Sequence, residues 1–397
     1  MKKITGRSAF LSILQSEGVT HLFGNPGTTE LPIMHALKEY PDIKYILGLQ
    51  EAIVVAMADG YSRATGKLSA CNVHVAPGLG NAMGAIYNAK FVGSPIIITA
   101  GQQEQGHGLM EPMLYGPLVR MAEPLVKWAT EVNRLEDLPR IMRRAAKIAL
   151  SPPTGPVFIS LPGDILNKEA KIDLGKSTRV IDTYRPSHNS IELIAKKISK
   201  YKKPVIIAGH EVATSGAFKE ITMFAEYTGS AVYQQTVPHG SHYPSEHMAF
   251  MGTLPRLQKP TKNILESYDL LICVGCDGLR MSVWSDTEPL PSKMPIIHIG
   301  INEWEIGKNY STELAIIGNV KNTLNDINQY LKNTLTPEET LKAKKRLKLI
   351  AKNNWNVKKK SLTTKTMHDK LKKPITPNWL MMNIANNITT VSYTHLT

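Results

Sequence analysis

Three side chains able to hold or move a proton or to bond a small anion stand at equivalent points of the first eighty residues. Thr28 lies in Gly24-Asn25-Pro26-Gly27-Thr28-Thr29-Glu30, Glu51 follows an apolar run that ends at Leu49-Gln50, and His74 ends a second apolar run. At each point a strand-like stretch hands over to a helix-like one. In an open parallel sheet the carboxyl ends of the strands share one edge, and ligands bind in the crevice outside it. A carboxyl group, an imidazole and a hydroxyl on such an edge suit acid–base chemistry on a bound molecule. The competing readings are structural: Glu51 as a helix cap, Thr28 as an N-cap, His74 as a satisfied strand-end histidine.

The elements that would carry these residues alternate. Residues 4–18 have helical spacing, with Thr5 as N-cap and Gly18 as the stop. A strand over 20–23, a helix over 30–38, a strand over 44–49 and a helix over 51–64, interrupted at Gly60, follow. The next unit repeats the order: strand 68–75, a tight turn Ala76-Pro77-Gly78-Leu79-Gly80, helix 81–91 and the apolar strand 95–100. An amphipathic helix over 135–150 and a strand over 156–161 close the series. The rhythm restarts after a polar stretch, with helices near 191–198, 217–228 and 265 and strands at 204–208, 231–234, 270–274 and 295–299. The expected fold class is α/β, two doubly wound parallel-sheet domains followed by a basic helical linker.

The 397 residues exceed one ordinary core. Domains are expected at 1–170 and 185–330, a linker at 331–374, and the start of a third domain at 375–397, whose tail from Val391 looks foreign. No apolar run reaches the length of a signal peptide or a membrane span, so a cytoplasmic protein with no membrane partner is expected. Cys71, Cys273 and Cys276 give no disulfide framework, and Cys273-Val274-Gly275-Cys276 lies in an apolar strand without a second ligand pair, so no metal site is read there. The formal charge of +14 is concentrated: residues 338–373 hold thirteen Lys or Arg against three acidic residues. A solvated helix is the expected form, with a nucleic-acid partner the lesser alternative.

Several spaced blocks then resemble a known family. Phe23-Gly24-Asn25-Pro26-Gly27-Thr28, Leu49-Gln50-Glu51-Ala52, Ala58-Asp59-Gly60-Tyr61, Gly78-Leu79-Gly80-Asn81-Ala82 and Ala100-Gly101-Gln102-Gln103 resemble the pyrimidine-binding domain of thiamine-diphosphate-dependent enzymes. His74, Asn81-Ala82-Met83-Gly84-Ala85 and Pro124-Leu125-Val126-Lys127-Trp128 are similar to the benzoylformate decarboxylase branch. The resemblance implies a decarboxylase of a 2-keto acid, with thiamine diphosphate and Mg²⁺ as cofactors and a homodimer or tetramer as the complete form. It implies catalytic roles for Glu51, His74 and Thr28: Glu51 bonds the aminopyrimidine, His74 faces the substrate, and Thr28 meets the substrate carboxylate. Pro26, Gly27, Gly78, Asn81 and Glu51 would bind the cofactor.

Departures accompany the likeness. The loop Cys276-Asp277-Gly278-Leu279-Arg280-Met281-Ser282-Val283-Trp284 holds Ser282 where that branch has a second histidine. Ile299 to Asn309 resembles the acetolactate synthase branch, so a carboligase is the alternative function, without a clear flavin signal. A non-catalytic binding module using the basic stretch is the third reading. The family's Gly-Asp-Gly segment, which holds diphosphate and Mg²⁺, does not occur in the sequence. The chain is therefore expected to be truncated before the diphosphate domain and inactive alone.

Overall fold

The computed structural model describes residues 3–181 and 183–388. The tail from Val391, and the expectation that it is foreign, lie outside the described residues. The chain divides into two compact units, Met1–Asp182 and Thr183–Thr397.

The first unit runs β1 (Ile4–Thr5), α1 (Gly6–Ser16), β2 (His21–Gly24), α2 (Leu31–Ala36), β3 (Lys44–Leu47), α3 (Glu51–Thr65), β4 (Ser69–Val73) and α4 (Val75–Val92). It continues with β5 (Ile96–Gln102), α5 (Leu118–Ala122), β6 (Ala129–Glu131), α6 (Leu138–Leu150), β7 (Val157–Pro162), α7 (Gly163–Asn167) and β8 (Glu169–Ala170). Six strands form a parallel sheet in the order β3-β2-β4-β5-β7-β6, while β1 and β8 make a short antiparallel ribbon. Every residue of β4, β5 and β7 is buried, because α1, α2, α6 and α7 cover one face and α3, α4 and α5 the other. From β2 the chain moves to β3 on one side and then to β4 on the other. That reversal makes the carboxyl ends of β2 and β4 a topological switch point.

The second unit runs α8 (His188–Ile198), β9 (Pro204–Ala208), α9 (His210–Thr214), α10 (Phe218–Thr228), β10 (Ala231–Gln234), β11 (Phe250–Thr253) and α11 (Gln258–Leu265). Then come β12 (Leu270–Val274), β13 (Ile296–Gly300), β14 (Leu314–Ile317), α12 (Val320–Thr334), α13 (Pro337–Ala351), α14 (Trp355–Met367) and α15 (Pro377–Asn387). Its sheet is also parallel, in the order β11-β10-β9-β12-β13-β14. The α/β class with two doubly wound parallel sheets is thus observed.

Four local expectations change. Helix α3 passes unbroken through Gly60, where a Cβ would meet nothing within 4 Å. Helix α4 begins at Val75, so Pro77 and Gly78, expected in a turn, form its first turn, where a missing N–H costs nothing. The edge strands β6, β11 and β14, of three or four residues each, give too few alternations to read. The basic stretch is not simply solvated: α13, opened by a Thr336/Glu339 capping box, buries Ala343 and packs Leu347 into the second core. Gly229, at φ 60°, permits that approach, since a Cβ there would lie 2.8 Å from the Ala343 backbone. No helix among the described residues is long and apolar enough to cross a membrane.

Candidate active site

Glu51 is the first residue of α3, but it does not cap the helix. Gln50 does, its side-chain oxygen accepting from the N–H of Ala52 at 2.6 Å and of Ile53 at 3.3 Å. The Glu51 carboxyl is released to turn inward, where the amide of Asn25 donates to Oε1 and that of Asn81 to Oε2, both at 3.0 Å. It is 6 % exposed, whereas Leu49, two residues before it, is 86 % exposed. The walls around the carboxyl are therefore the two amides and helix α4. Gly78 makes this possible: a Cβ there would stand 3.1 Å from Glu51 Oε1 and 3.4 Å from His74 Cβ.

His74 follows β4 and precedes α4, and Val75 after it has φ 39°. A buried β-branched residue in that region is strained, a cost that persists where the surroundings over-determine the backbone. The ring is fixed by Glu30, whose Oε2 lies 2.8 Å from His74 Nδ1. Glu30 is fully buried and its carboxyl already accepts from Gly27 N at 2.8 Å, Gly101 N at 2.8 Å and Thr29 Oγ1 at 2.7 Å. With three donors already on the Glu30 carboxyl, Nδ1 serves as the fourth, and in the neutral imidazole this tautomer leaves Nε2 as the acceptor. Gly27 lets the ring close: a Cβ there would be 2.1 Å from Nδ1 and Cε1. Behind this group the Tyr45 hydroxyl fills the space of the side chain that Gly24 lacks, and burial pushes its pKa up.

The sequence-derived residues thus fall into two sets. Glu51, His74, Gly27, Gly78 and Asn81 lie together at the switch point, with Pro26 in the same turn. Thr28 stands on that turn too, yet it is exposed, caps nothing, and its hydroxyl makes no hydrogen bond among the described residues. Glu30 and Asn25 belong to the same edge turn, and the sequence alone assigns neither of them a role in the site. Glu30 reaches back to the N–H of Gly27, three residues before it, a spacing that glutamates in a first helical turn commonly bridge. The edge carries exposed apolar side chains as well: Leu47, Leu49 and Ile53 on one side, and Leu109, Met110 and Met113 on the loop after β5.

The second unit has its own buried polar edge. Glu211 accepts from Ile301 N at 2.8 Å and Asn302 N at 3.3 Å, and burial pushes its pKa up to about 7 against the pull of those N–H groups. Asp277, likewise buried, is pushed up to about 6, although Arg280 beside it pulls down. Burial pulls His210 and His242 down to about 4. Ser282 and Trp284, on the loop expected to bear a second histidine, are exposed. Cys273 and Cys276 are buried free thiols, and no group of three or more metal-ligating side chains occurs among the described residues.

A carboxyl whose folded pKa is raised holds its proton longer than the unfolded chain does. Its stabilising contribution is complete below the unfolded value and is lost as pH rises through the folded one. The two histidines act oppositely, costing stability as pH falls below about 6.5. Glu211→Gln isolates the first effect. The stability of the native chain relative to this variant is expected to fall by about 2–3 kcal/mol from about pH 5 to pH 8, read by urea unfolding at each pH. A difference that stays level with pH would show that Glu211 titrates as in the unfolded chain.

Comparison with known proteins adds kinship. Residues 4–113 match the N-terminal TPP binding domain of thiamine pyrophosphate enzymes, and residues 191–327 match their central domain. Benzoylformate decarboxylase of Pseudomonas aeruginosa is 31 % identical over 337 residues, 84 % of this chain and 63 % of that protein. The acetolactate synthase large subunit of Haemophilus influenzae is 29 % identical over 367 residues, 90 % of this chain and 63 % of that protein. The solved structure of a thiamine diphosphate-dependent 4-hydroxybenzoylformate decarboxylase from Rhodococcus jostii RHA1 has TM-score 0.76 at 30 % identity, covering 84 % of this chain and 63 % of that one. The chain spans a little under two thirds of the length of these relatives. Two domain matches in series, and relatives that align along most of the chain, decide its kinship: it belongs to the thiamine pyrophosphate enzymes.

Proposed function

We propose that the chain supplies the pyrimidine side of the active site of a thiamine-diphosphate-dependent 2-keto acid decarboxylase. One observation carries the reading: Gly78 brings the Glu51 carboxyl and His74 together at a single sheet edge, within 3.1 and 3.4 Å of where its own side chain would begin. The donor set fits the cofactor's ring. Glu51 is an almost buried carboxyl held by two amides, and Gly78 leaves the space beside it free of a side chain. When bound, thiamine diphosphate supplies the nucleophilic carbon and the electron sink for decarboxylation.

The chain's own residues bind, orient and move protons. Glu51 bonds the aminopyrimidine, with Asn81 fixing the carboxyl and Pro26 and Gly27 shaping the approach. His74 keeps Nδ1–H on Glu30 and offers Nε2 to take or return a proton at the substrate. Thr28, exposed on the turn, offers its hydroxyl to the substrate carboxylate. Diphosphate and Mg²⁺ are assigned to the part of the relatives' length that this chain does not span, 63 % of the Pseudomonas aeruginosa protein being covered. The exposed apolar side chains around this edge support a complete form that is a homodimer or tetramer, since a patch of that kind marks an interaction surface.

Carboligation of the acetolactate type is the second reading, supported by the alignment with the Haemophilus influenzae synthase over 90 % of the chain. Products formed from pyruvate and from an aryl 2-keto acid, by an enzyme that includes the diphosphate-binding region, separate the two by mass spectrometry. Aldehyde and CO₂ are expected. Acetolactate as the main product would replace decarboxylation with carboligation, and no turnover of either acid would remove both.

A further inference from the structure

Counted within the second unit, its strands stand in the order 3-2-1-4-5-6, the order of dinucleotide-binding sheets, with a switch point between β9 and β12. A dinucleotide crevice of this kind needs a particular first turn. One glycine makes the bend, and a second, two residues on, lets the pyrophosphate approach the backbone at a helix N-terminus. Here the bend is present: Gly209 follows β9, and a Cβ on it would lie 2.2 Å from Cys276 Cα. Two residues on stands Glu211, and the helix it enters has only five residues.

The Glu211 side chain lies across this edge of the sheet. Its carboxyl receives the N–H groups of Ile301 and Asn302 beyond β13, at 2.8 and 3.3 Å. It lies over Gly300, where a Cβ would be 3.1 Å from Oε2, and its own Cβ would be 2.6 Å from one built on Gly275. The first-turn N–H of Glu211 is itself donated to Gly275 O at 3.0 Å, so the donor that a phosphate would need at this turn is paired within the protein, and the carboxyl lies across the ends of β12 and β13. The ribose end departs too, because β10 ends in Gln234 rather than a carboxylate, and that amide accepts from His242 N at 2.7 Å.

We propose that Glu211 is a built-in occupant of this crevice, and that the second unit accepts no nucleoside diphosphate or dinucleotide there. The block is steric first, and above the carboxyl's titration it is electrostatic as well. This inference does not rest on the function proposed for the first unit.

The test uses the 397-residue chain at about pH 8, with ADP and FAD as probes at about 1 mM. The native chain is expected to keep its melting temperature within about 1 °C and to show no heat of binding by titration calorimetry. Glu211→Gly restores the glycine pair and frees both N–H groups, and it is expected to gain about 2–4 °C with ADP. Glu211→Ala runs beside it, in case the added glycine loosens the turn. Stabilisation of the native chain by either probe overturns the proposal, and so does a folded Glu211 variant that still ignores ADP. If neither variant folds, the native titration decides alone. A failure to turn over 2-keto acids would leave this result unaffected, because the probes report on the second unit.

Discussion

Glu51→Gln is expected to lower 2-keto acid turnover by about 10²–10⁴-fold in an enzyme carrying the diphosphate-binding region, the usual range for removal of a positioned proton-transfer group. Glutamine keeps the length and one acceptor oxygen but cannot carry or release the proton. Packing around position 51 is nearly conserved, since both neighbours are asparagine amides and one of them can turn its oxygen toward the new NH₂ group. The loss should therefore appear in kcat with the melting temperature close to that of the native enzyme. Solvent deuterium exchange at the cofactor, followed by NMR in quenched samples, checks the same step without a substrate. A variant within tenfold of native turnover would remove Glu51 from the chemistry, and a kcat loss that follows a large drop in melting temperature would make it a packing residue.

The parts of this site that were legible in the sequence are those set by local rules. Glu51 and His74 stand out because each follows an apolar run at a strand-to-helix handover, whereas Gly27 and Gly78 are assigned to the site only through the family resemblance. What stayed hidden depends on partners far along the chain. Glu30 reads as an ordinary first-turn glutamate; that it is fully buried follows from Gly101, 71 residues later, which donates its N–H and has no side chain to obstruct. Asn25 and Asn81 lie 56 residues apart and meet only through Glu51. The start of α4 shows tertiary context overriding local propensity: Pro77, Gly78 and Gly80 together favour a turn, yet packing of Leu79, Ala82 and Ile86 on the sheet holds a helix from Val75. Glu211 was invisible for a similar reason, because its N–H donors come from the loop beyond β13.

Gly101→Ala is expected to cost the first unit a large share of its stability. The new Cβ would lie 2.1 Å from Glu30 Oε1, 2.4 Å from Thr29 Oγ1 and 2.7 Å from Thr29 Cβ. Glu30 has nowhere to go, being fully buried and bonded to Gly27, Thr29, His74 and Gly101 itself. Relief requires either the sheet to shift at β5 or the carboxyl to leave its donors, and a buried charge stripped of partners costs about 3–5 kcal/mol. The expected loss is therefore at least about 3 kcal/mol in urea unfolding, with the His74 Nδ1–H resonance lost or moved. Gly80→Ala is the internal control. It lies in α4 with nothing within 4 Å of its Cβ, and should stabilise by about 0.5–1 kcal/mol as a helix-interior glycine replaced by alanine. If both substitutions prove mild, the buried Glu30 cluster is looser than its four hydrogen bonds imply, and His74 is not held in one tautomer by it.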